Sequence, residues 1–148
     1  MFIRDYSNCF VENLDAPVAF NAYSTVSRQY GDYELVTFDA TFLNYGEHFQ
    51  INNSVFICPV DGLYAFALNV VSSEGSTFIA GRIMIDNVMF TGFYTGEDEI
   101  NPEAGSAFDI MECFKGQRVW VRTNSGSPYS LSGEIGRSSF SGFLLYSY

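Results

Sequence analysis

The sequence predicts an all-β fold, a sandwich of sheets facing each other across one core, and three observations support this prediction. The chain has 148 residues, the size of one domain. It is rich in β-favouring aromatic side chains, with 15 Phe and 10 Tyr. From Pro17 onward, short apolar runs are separated by Gly, Asn, Asp and Ser, which is typical of strands joined by turns. No segment has the periodicity of a long helix.

Alternation of side chains supports several of the strands. In the segment 62–73, the alternate side chains from Tyr64 to Val70 are apolar and share one face. In the segment 77–86 both faces are apolar, so this strand is expected to be central or covered. Asp86-Asn87 after it predicts a hairpin turn. The predicted strands are residues 17–23, 33–43, 49–58, 62–73, 77–86, 88–95, 106–114, 118–124 and 139–147.

The charge of the chain excludes some classes of partner. With 17 acidic and seven basic residues the formal net charge is −10, which repels nucleic acids and anionic membrane surfaces. No apolar run reaches the length of about 18 residues that a membrane-spanning helix needs. We therefore expect neither a nucleic-acid partner nor a membrane partner.

The most specific pattern lies in the middle of the chain, where aromatic residues recur at fixed spacing around an Asn and a Gly. A random β-rich sequence has little chance of forming this frame. It reads Phe-x5-Asn-x4-Phe-x6-Phe-x5-Gly-x-Tyr-x-Phe and is formed by Phe38, Asn44, Phe49, Phe56, Gly62, Tyr64 and Phe66.

This frame resembles the signature of the globular head domain of complement component C1q. Leu68 departs mildly from it, since the last position of the signature is usually Phe or Tyr. The segments PVAFNAYS and GQRVWV resemble parts of the same family, although Gln117 replaces the usual acid in the second. The closing SSFSGFLLYSY also matches, with Phe140, Gly142 and Phe143 in frame.

The resemblance covers residues 16–148, which we interpret as one C1q-like domain after an N-terminal arm of residues 1–15. It implies a ten-stranded jelly-roll β-sandwich, similar to the tumour-necrosis-factor ligands, that assembles as a homotrimer. The abundance of aromatic residues is an independent hint, because a surplus beyond one core would mark a subunit interface. Candidate interface residues are Phe20, Tyr23, Tyr64, Phe140, Phe143 and Tyr146.

The three cysteines are too few for a disulfide scaffold and show no CxxC spacing. We interpret Cys58 and Cys113 as small buried apolar residues inside strands. In an oxidising compartment, Cys9 is the candidate for a free thiol or for a bond between chains. The cysteines alone do not identify the compartment.

Catalytic chemistry has little support in the sequence, so we predict that the protein is not an enzyme. His48 is the only histidine, and no G-x-S-x-G motif accompanies it. No P-loop, dinucleotide-binding Gly-rich turn or HExxH motif is present. His48 is expected to be a surface or turn residue.

One polar cluster in the expected loop 95–105 is a candidate site for calcium, which binds six to eight oxygen atoms. The alternative is a solvated loop tip. Some relatives hold calcium in the long loop before the final strand, but here that loop has Glu134 as its only acid. The candidate ligands are Glu97, Asp98, Glu99, Asn101 and Glu103, and we expect no other cofactor.

The resemblance leads to the hypothesis of a secreted, homotrimeric recognition module of innate immunity that binds carbohydrate or microbial surface ligands in a lectin-like manner. The 148 residues contain no Gly-x-x repeat, so no collagen-like stalk is expected. Residue types that stack on sugars or peptides lie in or beside the expected loop 124–139. The alternatives are a hormone-like or synaptic-type signalling ligand for a cell-surface receptor, and an acidic extracellular matrix protein. The candidate ligand-binding residues are Arg122, Tyr129 and Arg137.

Overall fold

The computed structural model describes residues 17–73, 78–95, 101–126 and 128–148, which form an antiparallel β-sandwich. None of these residues belongs to a helix long and apolar enough to cross a membrane. Their strands are β1 (Ala19–Tyr23), β2 (Arg28–Tyr30), β3 (Ala40–Tyr45), β4 (Phe49–Gln50), β5 (Val55–Ile57), β6 (Gly62–Val71), β7 (Ile79–Ile85), β8 (Val88–Thr95), β9 (Ala104–Cys113), β10 (Arg118–Thr123), β11 (Tyr129–Leu131) and β12 (Ser139–Ser147).

Two five-stranded sheets face each other, in agreement with the predicted ten-stranded sandwich. Sheet I has the strand order β3-β1-β12-β6-β9, and sheet II has the order β4-β5-β10-β7-β8. A third, two-stranded sheet pairs β2 with β11. The strand β7 lies between β10 and β8, as its two apolar faces predicted, and Asp86 and Asn87 form the turn that follows it.

Three predicted segments differ from the strands in the structure. The expected strand 33–43 begins only at Ala40, because the backbone before it bonds to other partners: Val36 N donates to Val121 O, and Phe38 N donates to Ser54 Oγ. The expected strand 49–58 is interrupted by a turn at 51–54. The expected loop 124–139 contains the short strand β11.

Aromatic rings from both sheets fill the core. The ring of Phe20 in β1 stacks on Phe49 and Phe56 of sheet II, with centroids 4.9 and 4.8 Å apart. The edge of Phe140 in β12 meets the same ring at 5.1 Å. Such offset and edge-to-face contacts add to the free energy gained by burying the rings. The aromatic positions of the sequence signature are therefore core positions.

The polar and small residues of the signature also have structural roles. The side chain of Asn44 closes the turn between β3 and β4, because its Nδ2 donates to Phe49 O at 2.9 Å and its Oδ1 accepts from Phe49 N at 3.1 Å. At Gly62, a Cβ atom would lie 2.2 Å from the carbonyl oxygen of Tyr146, so no larger residue fits between β6 and β12.

Cys58 and Cys113 form a disulfide, which corrects the interpretation of these residues as free apolar side chains. Both are buried, as predicted, but they are joined across 55 positions of sequence with Cα atoms 6.5 Å apart. The bond links the segment after β5, in sheet II, to the end of β9, in sheet I. Spacing along the chain carries no sign of this proximity, because the sandwich creates it. Cys9 and the predicted arm 1–15 lie outside the described residues.

Candidate functional site

The face of sheet I that points away from the core is exposed and apolar. Because side chains alternate along a strand, the residues between the core positions of each strand point outward. On β6, for example, Leu63, Ala65 and Ala67 point to this face and alternate with the core residues from Tyr64 to Leu68, although the small side chain of Ala65 is itself buried. The large exposed side chains on this face are Phe42, Leu43, Tyr45, Leu63, Phe108, Ile110, Phe143 and Tyr146.

A groove of about 560 Å³ runs along the centre of this face. Small residues such as Ala65, Ala67 and Ser141 form its floor, and Phe108 and Leu43 belong to its walls. Asn21 of β1 also lines the groove, and its buried Oδ1 accepts no hydrogen bond within the described residues. A buried oxygen without a donor costs free energy, so a donor from a bound water or from a neighbouring subunit would stabilise this atom.

The predicted interface residues divide into two groups. Tyr23, Phe143 and Tyr146 lie on the exposed face, where Phe143 and Tyr146 are 47% and 64% exposed. The other three were wrongly assigned to an interface, because alternation turns them inward and the core of the same subunit buries them. Those three are Phe20, Tyr64 and Phe140.

Tyr64 shows how completely the core takes up these residues. Its hydroxyl donates to the carbonyl oxygen of Val60 at 2.6 Å. Burial raises the pKa of this hydroxyl, and the nearby charge of Asp61 adds to the increase, although the bond to Val60 opposes it. Tyr64 therefore holds the sandwich together and is not available to a neighbouring subunit.

The three predicted ligand-binding residues are not brought together. The assignment of Tyr129 was wrong, because this side chain is 0% exposed and its hydroxyl donates to Ser125 O. Burial, with the nearby charge of Asp32, raises the pKa of this hydroxyl. Arg137 lies in the loop before β12 and pairs with Glu134 at 2.8 Å. Arg122 lies on the outer face of sheet II, its guanidinium 5.1 Å from the ring centroid of Tyr33.

The predicted calcium site lies mostly outside the described residues, which include Asn101 and Glu103 but not 97–99. The backbone of Glu103 is held by Ser72, whose Oγ accepts from Glu103 N at 3.0 Å. In the part of the chain that the structure describes, no three His, Cys, Asp or Glu side chains converge as metal ligands. Calcium binding at 97–103 stays a prediction. His48 lies in the turn between β3 and β4, where it was expected.

Part of the exposed face was not predicted from the sequence. Phe108 and Ile110 are 62% and 54% exposed on β9, an edge strand of sheet I. The sequence does indicate this arrangement. Phe108 and Ile110 occupy alternate positions of β9 and share one face, while Ala107 and Met111 lie on the other face, so the strand is apolar on both sides. A search for strands with two apolar faces would have found them.

Comparison with known proteins identifies the family. The model of the C1q domain matches residues 19–145. Caprin-2 of Danio rerio is 29% identical over 130 residues, which are 87% of this chain but only 14% of that protein. The globular domain of zebrafish complement 1qA has a TM-score of 0.75 and 24% identity, covering 88% of this chain and 99% of its own.

A tumour-necrosis-factor protein has the same fold. Eiger TNF from S. frugiperda superposes with a TM-score of 0.74 at 11% identity, covering 89% of this chain and 94% of its own. This likeness concerns the fold alone and confirms the jelly roll shared by the two groups. Because the family model matches most of the 148 residues, this chain belongs to the C1q domain family.

Proposed function

We propose that this protein is a homotrimeric ligand-recognition module whose subunits meet through the outer face of sheet I. C1q-like and TNF-like domains are generally trimeric and bind ligands or receptors. The observation that supports the proposal here is the exposed apolar face itself. Large contiguous apolar surfaces are rare on soluble monomers and mark protein interfaces.

Two details of this face favour a second copy of the chain as its occupant. The small side chains of Ala65, Ala67 and Ser141 allow close approach at the centre, while Phe108 and Phe143 supply the aromatic anchors common in interfaces. The chain carries a net charge of −10, yet Glu112, exposed at the end of β9 opposite Leu63, is the single charged residue at the outward positions of the sheet I strands. Self-association therefore avoids most of the repulsion between acidic surfaces.

We further propose that the trimer is secreted and binds carbohydrate or other microbial surface ligands. The Cys58–Cys113 disulfide supports secretion, because structural disulfides persist in oxidising compartments. Three copies at fixed spacing turn weak single-site contacts into useful avidity.

Light scattering tests the assembly, with an expected mass of about three times 16.6 kDa at micromolar concentration. A folded monomer under these conditions would contradict the proposed assembly. A glycan array and whole bacterial cells test recognition, and we expect binding to at least one carbohydrate or microbial polymer. Recovery of a cell-surface protein without any glycan binding would instead favour the signalling-ligand alternative.

A further inference from the structure

We propose that Asn52 is the acceptor for an N-linked glycan, and that the turn between β4 and β5 presents this glycan away from the face through which the subunits meet. The inference rests on the proposed secretion, because the transferases that attach such glycans act on chains entering the secretory pathway. It begins from a sequence motif whose two essential residues have very different surroundings in the fold.

Asn52, Asn53 and Ser54 form an Asn-x-Ser motif without a proline at its middle position. Such a motif is an acceptor for N-glycosylation, because the transferase binds the serine hydroxyl while the asparagine amide reacts. No other Asn-x-Ser or Asn-x-Thr motif occurs in the 148 residues. The chain therefore offers one position to this modification, and the fold decides whether that position suits a glycan.

The asparagine of the motif lies on the surface of the domain. Asn52 is exposed in the turn of residues 51–54 and borders two surface depressions of about 420 Å³ each. Turns at the surface of a secreted domain are where attached glycans are tolerated, since the sugars stay in water. The first sugars of a glycan on Asn52 therefore have room without any displacement of the core.

The serine of the motif, in contrast, is buried. Ser54 is 2% exposed, and its Oγ accepts a hydrogen bond from Phe38 N at 2.8 Å and donates one to Phe38 O at 3.2 Å. A transferase cannot bind a hydroxyl that is buried and engaged in this way. The glycan must therefore be attached before the segment around Phe38 docks on the turn.

The growing chain provides this opportunity. When residues 51–57 have just been made, β5 still lacks its neighbour β10, and Cys58 still lacks its disulfide partner Cys113, because both follow later in the sequence. Without these partners the turn is not yet held in the sandwich. The motif is then an extended, accessible segment, and Ser54 takes up its bonds to Phe38 after the transfer.

The transfer breaks one bond and forms another. The amide nitrogen of Asn52 attacks the anomeric carbon of an oligosaccharide that a polyprenyl lipid carries through a diphosphate. The bond between this carbon and the diphosphate oxygen breaks with its electron pair on the oxygen, so the lipid diphosphate leaves. The nitrogen releases one proton to the surroundings and keeps the other, and no oxidant or reductant takes part.

The position of Asn52 leaves the proposed interface free. None of the described residues that line the two depressions belongs to the outer face of sheet I. The adjacent β4 is an edge strand of sheet II, the other layer of the sandwich. A hydrated glycan beside β4 also covers an exposed strand edge, where other chains could otherwise pair. The glycan is therefore compatible with a trimer formed through sheet I.

Expression of the 148 residues behind a secretory leader in cultured animal cells tests the proposal. Mass spectrometry compares the protein from the medium and from the cell lysate before and after treatment with peptide-N-glycosidase. This enzyme removes the glycan and leaves an aspartate where the modified asparagine was. We expect most chains to lose the mass of one glycan, and the aspartate to be found at position 52. Sampling the lysate ensures that inefficient secretion does not hide the modification.

Two variants assign the glycan to its position. Asn52→Gln removes the acceptor nitrogen and should abolish the loss of mass completely. Asn53→Gln is the matched control, because Asn53 is exposed in the same turn and its replacement leaves the other two residues of the motif in place. This control should carry the glycan as the unmodified protein does. Both variants keep Ser54 and its bonds to Phe38, and circular dichroism checks that both keep the fold.

Two results would overturn the inference without touching the proposed function. One is an unglycosylated mass in both medium and lysate for a protein that is trimeric and binds carbohydrate. The other is a loss of mass that persists in Asn52→Gln. Light scattering before and after removal of the glycan tests its placement: we expect the same number of subunits, and a trimer that forms only after removal would contradict it. A folded monomer in both forms would overturn the proposed assembly, whatever the state of Asn52.

Discussion

At Gly142 the strand β12 passes directly beneath two aromatic rings of the core. A Cβ atom added there would lie 2.5 Å from Cδ1 of Phe66 and 2.8 Å from Cε1 of Phe20. Contacts this short do not occur in proteins, so the rings or the strand must move to accept a methyl group. The glycine of the closing segment, which the family resemblance singled out, is explained by this packing.

Gly142→Ala should therefore lower the free energy of unfolding by about 1–3 kcal/mol, the usual cost of overpacking a core. Urea unfolding followed by tyrosine fluorescence measures the change. The control is Ser141→Ala, because Ser141 precedes it on β12 and points to the opposite face. Equal stability of Gly142→Ala and the unmodified protein would contradict the packing described here.

The Cys58–Cys113 disulfide supplies a second prediction at this scale. Closing a loop of 55 positions lowers the entropy of the unfolded chain, and in the chain-entropy model this corresponds to about 4 kcal/mol. The double variant Cys58→Ala/Cys113→Ala should unfold at a clearly lower denaturant concentration. Cys9→Ser is the matched control and should unfold as the unmodified protein does. If the double variant keeps the original midpoint, the bond does not stabilise the fold.

The contact between Thr25 and Asp39 makes stability depend on pH. Asp39 accepts hydrogen bonds from Thr25 N at 2.7 Å and from Thr25 Oγ1. Although desolvation acts to raise the pKa of Asp39, these bonds outweigh it and lower the pKa below the ordinary 3.8. A lowered carboxyl pKa stabilises the folded state above the unfolded value, and this contribution disappears as pH falls through the folded value.

We therefore expect Asp39→Asn to reduce the free energy of unfolding at neutral pH. Below about pH 3.8, where the unmodified protein loses stability, the stability of Asp39→Asn should fall less steeply. Thr25→Val, which removes one donor, should produce a smaller effect of the same sign. Denaturant melts at several pH values measure both. Parallel pH profiles for Asp39→Asn and the unmodified protein would rule out this origin.

Among the elements, β12 contributes both to the core and to the exposed face of sheet I. Phe143→Glu places a charge at the proposed subunit interface and should convert the proposed trimer to a folded monomer. Tyr94→Glu is the control, since Tyr94 is comparably exposed on β8 of sheet II. Light scattering gives the mass, and circular dichroism shows whether the fold persists. If the trimer persists in Phe143→Glu but dissociates in Tyr94→Glu, the interface lies on sheet II and the proposed location on sheet I is contradicted.

The strands that could be predicted from the sequence are those long enough to show alternation. The bounds of β8 and β12 agree with the predicted ones, and β6 differs only at its end. The pair β2 and β11 was missed, because three residues are too few for a periodic pattern. The split between β4 and β5 was missed because the bonds of Ser54 to Phe38 that fix its turn are tertiary contacts.

The candidate site was predictable in part for the same reason. Whether an aromatic residue faces the core or a partner depends on its position in the alternation of side chains along the strand. An error of one residue in that position moves the side chain to the opposite face of the sheet. Phe143 and Phe140, three positions apart on β12, fall on opposite faces.

For the whole molecule, the acidic composition gives a prediction about calcium. If residues 97–103 bind this ion, millimolar calcium should raise the melting temperature, because a ligand of the folded state stabilises it. The same concentration of magnesium and the variant Glu97→Gln/Asp98→Asn serve as controls. An identical melt with calcium and with chelator would end the hypothesis of a calcium site.

The position of β12 also affects how the domain is made. This strand follows all other described strands in sequence, yet it lies in the middle of sheet I, between β1 and β6. During translation, neither of those strands acquires its second hydrogen-bonded neighbour until residues 139–147 leave the ribosome. The aromatic side chains of β1 and β6 stay partly exposed to solvent until then, and exposed apolar side chains promote aggregation. We therefore expect sheet I to close only after residues 139–147 have been made, and to form slowly because its strand pairs are far apart in sequence.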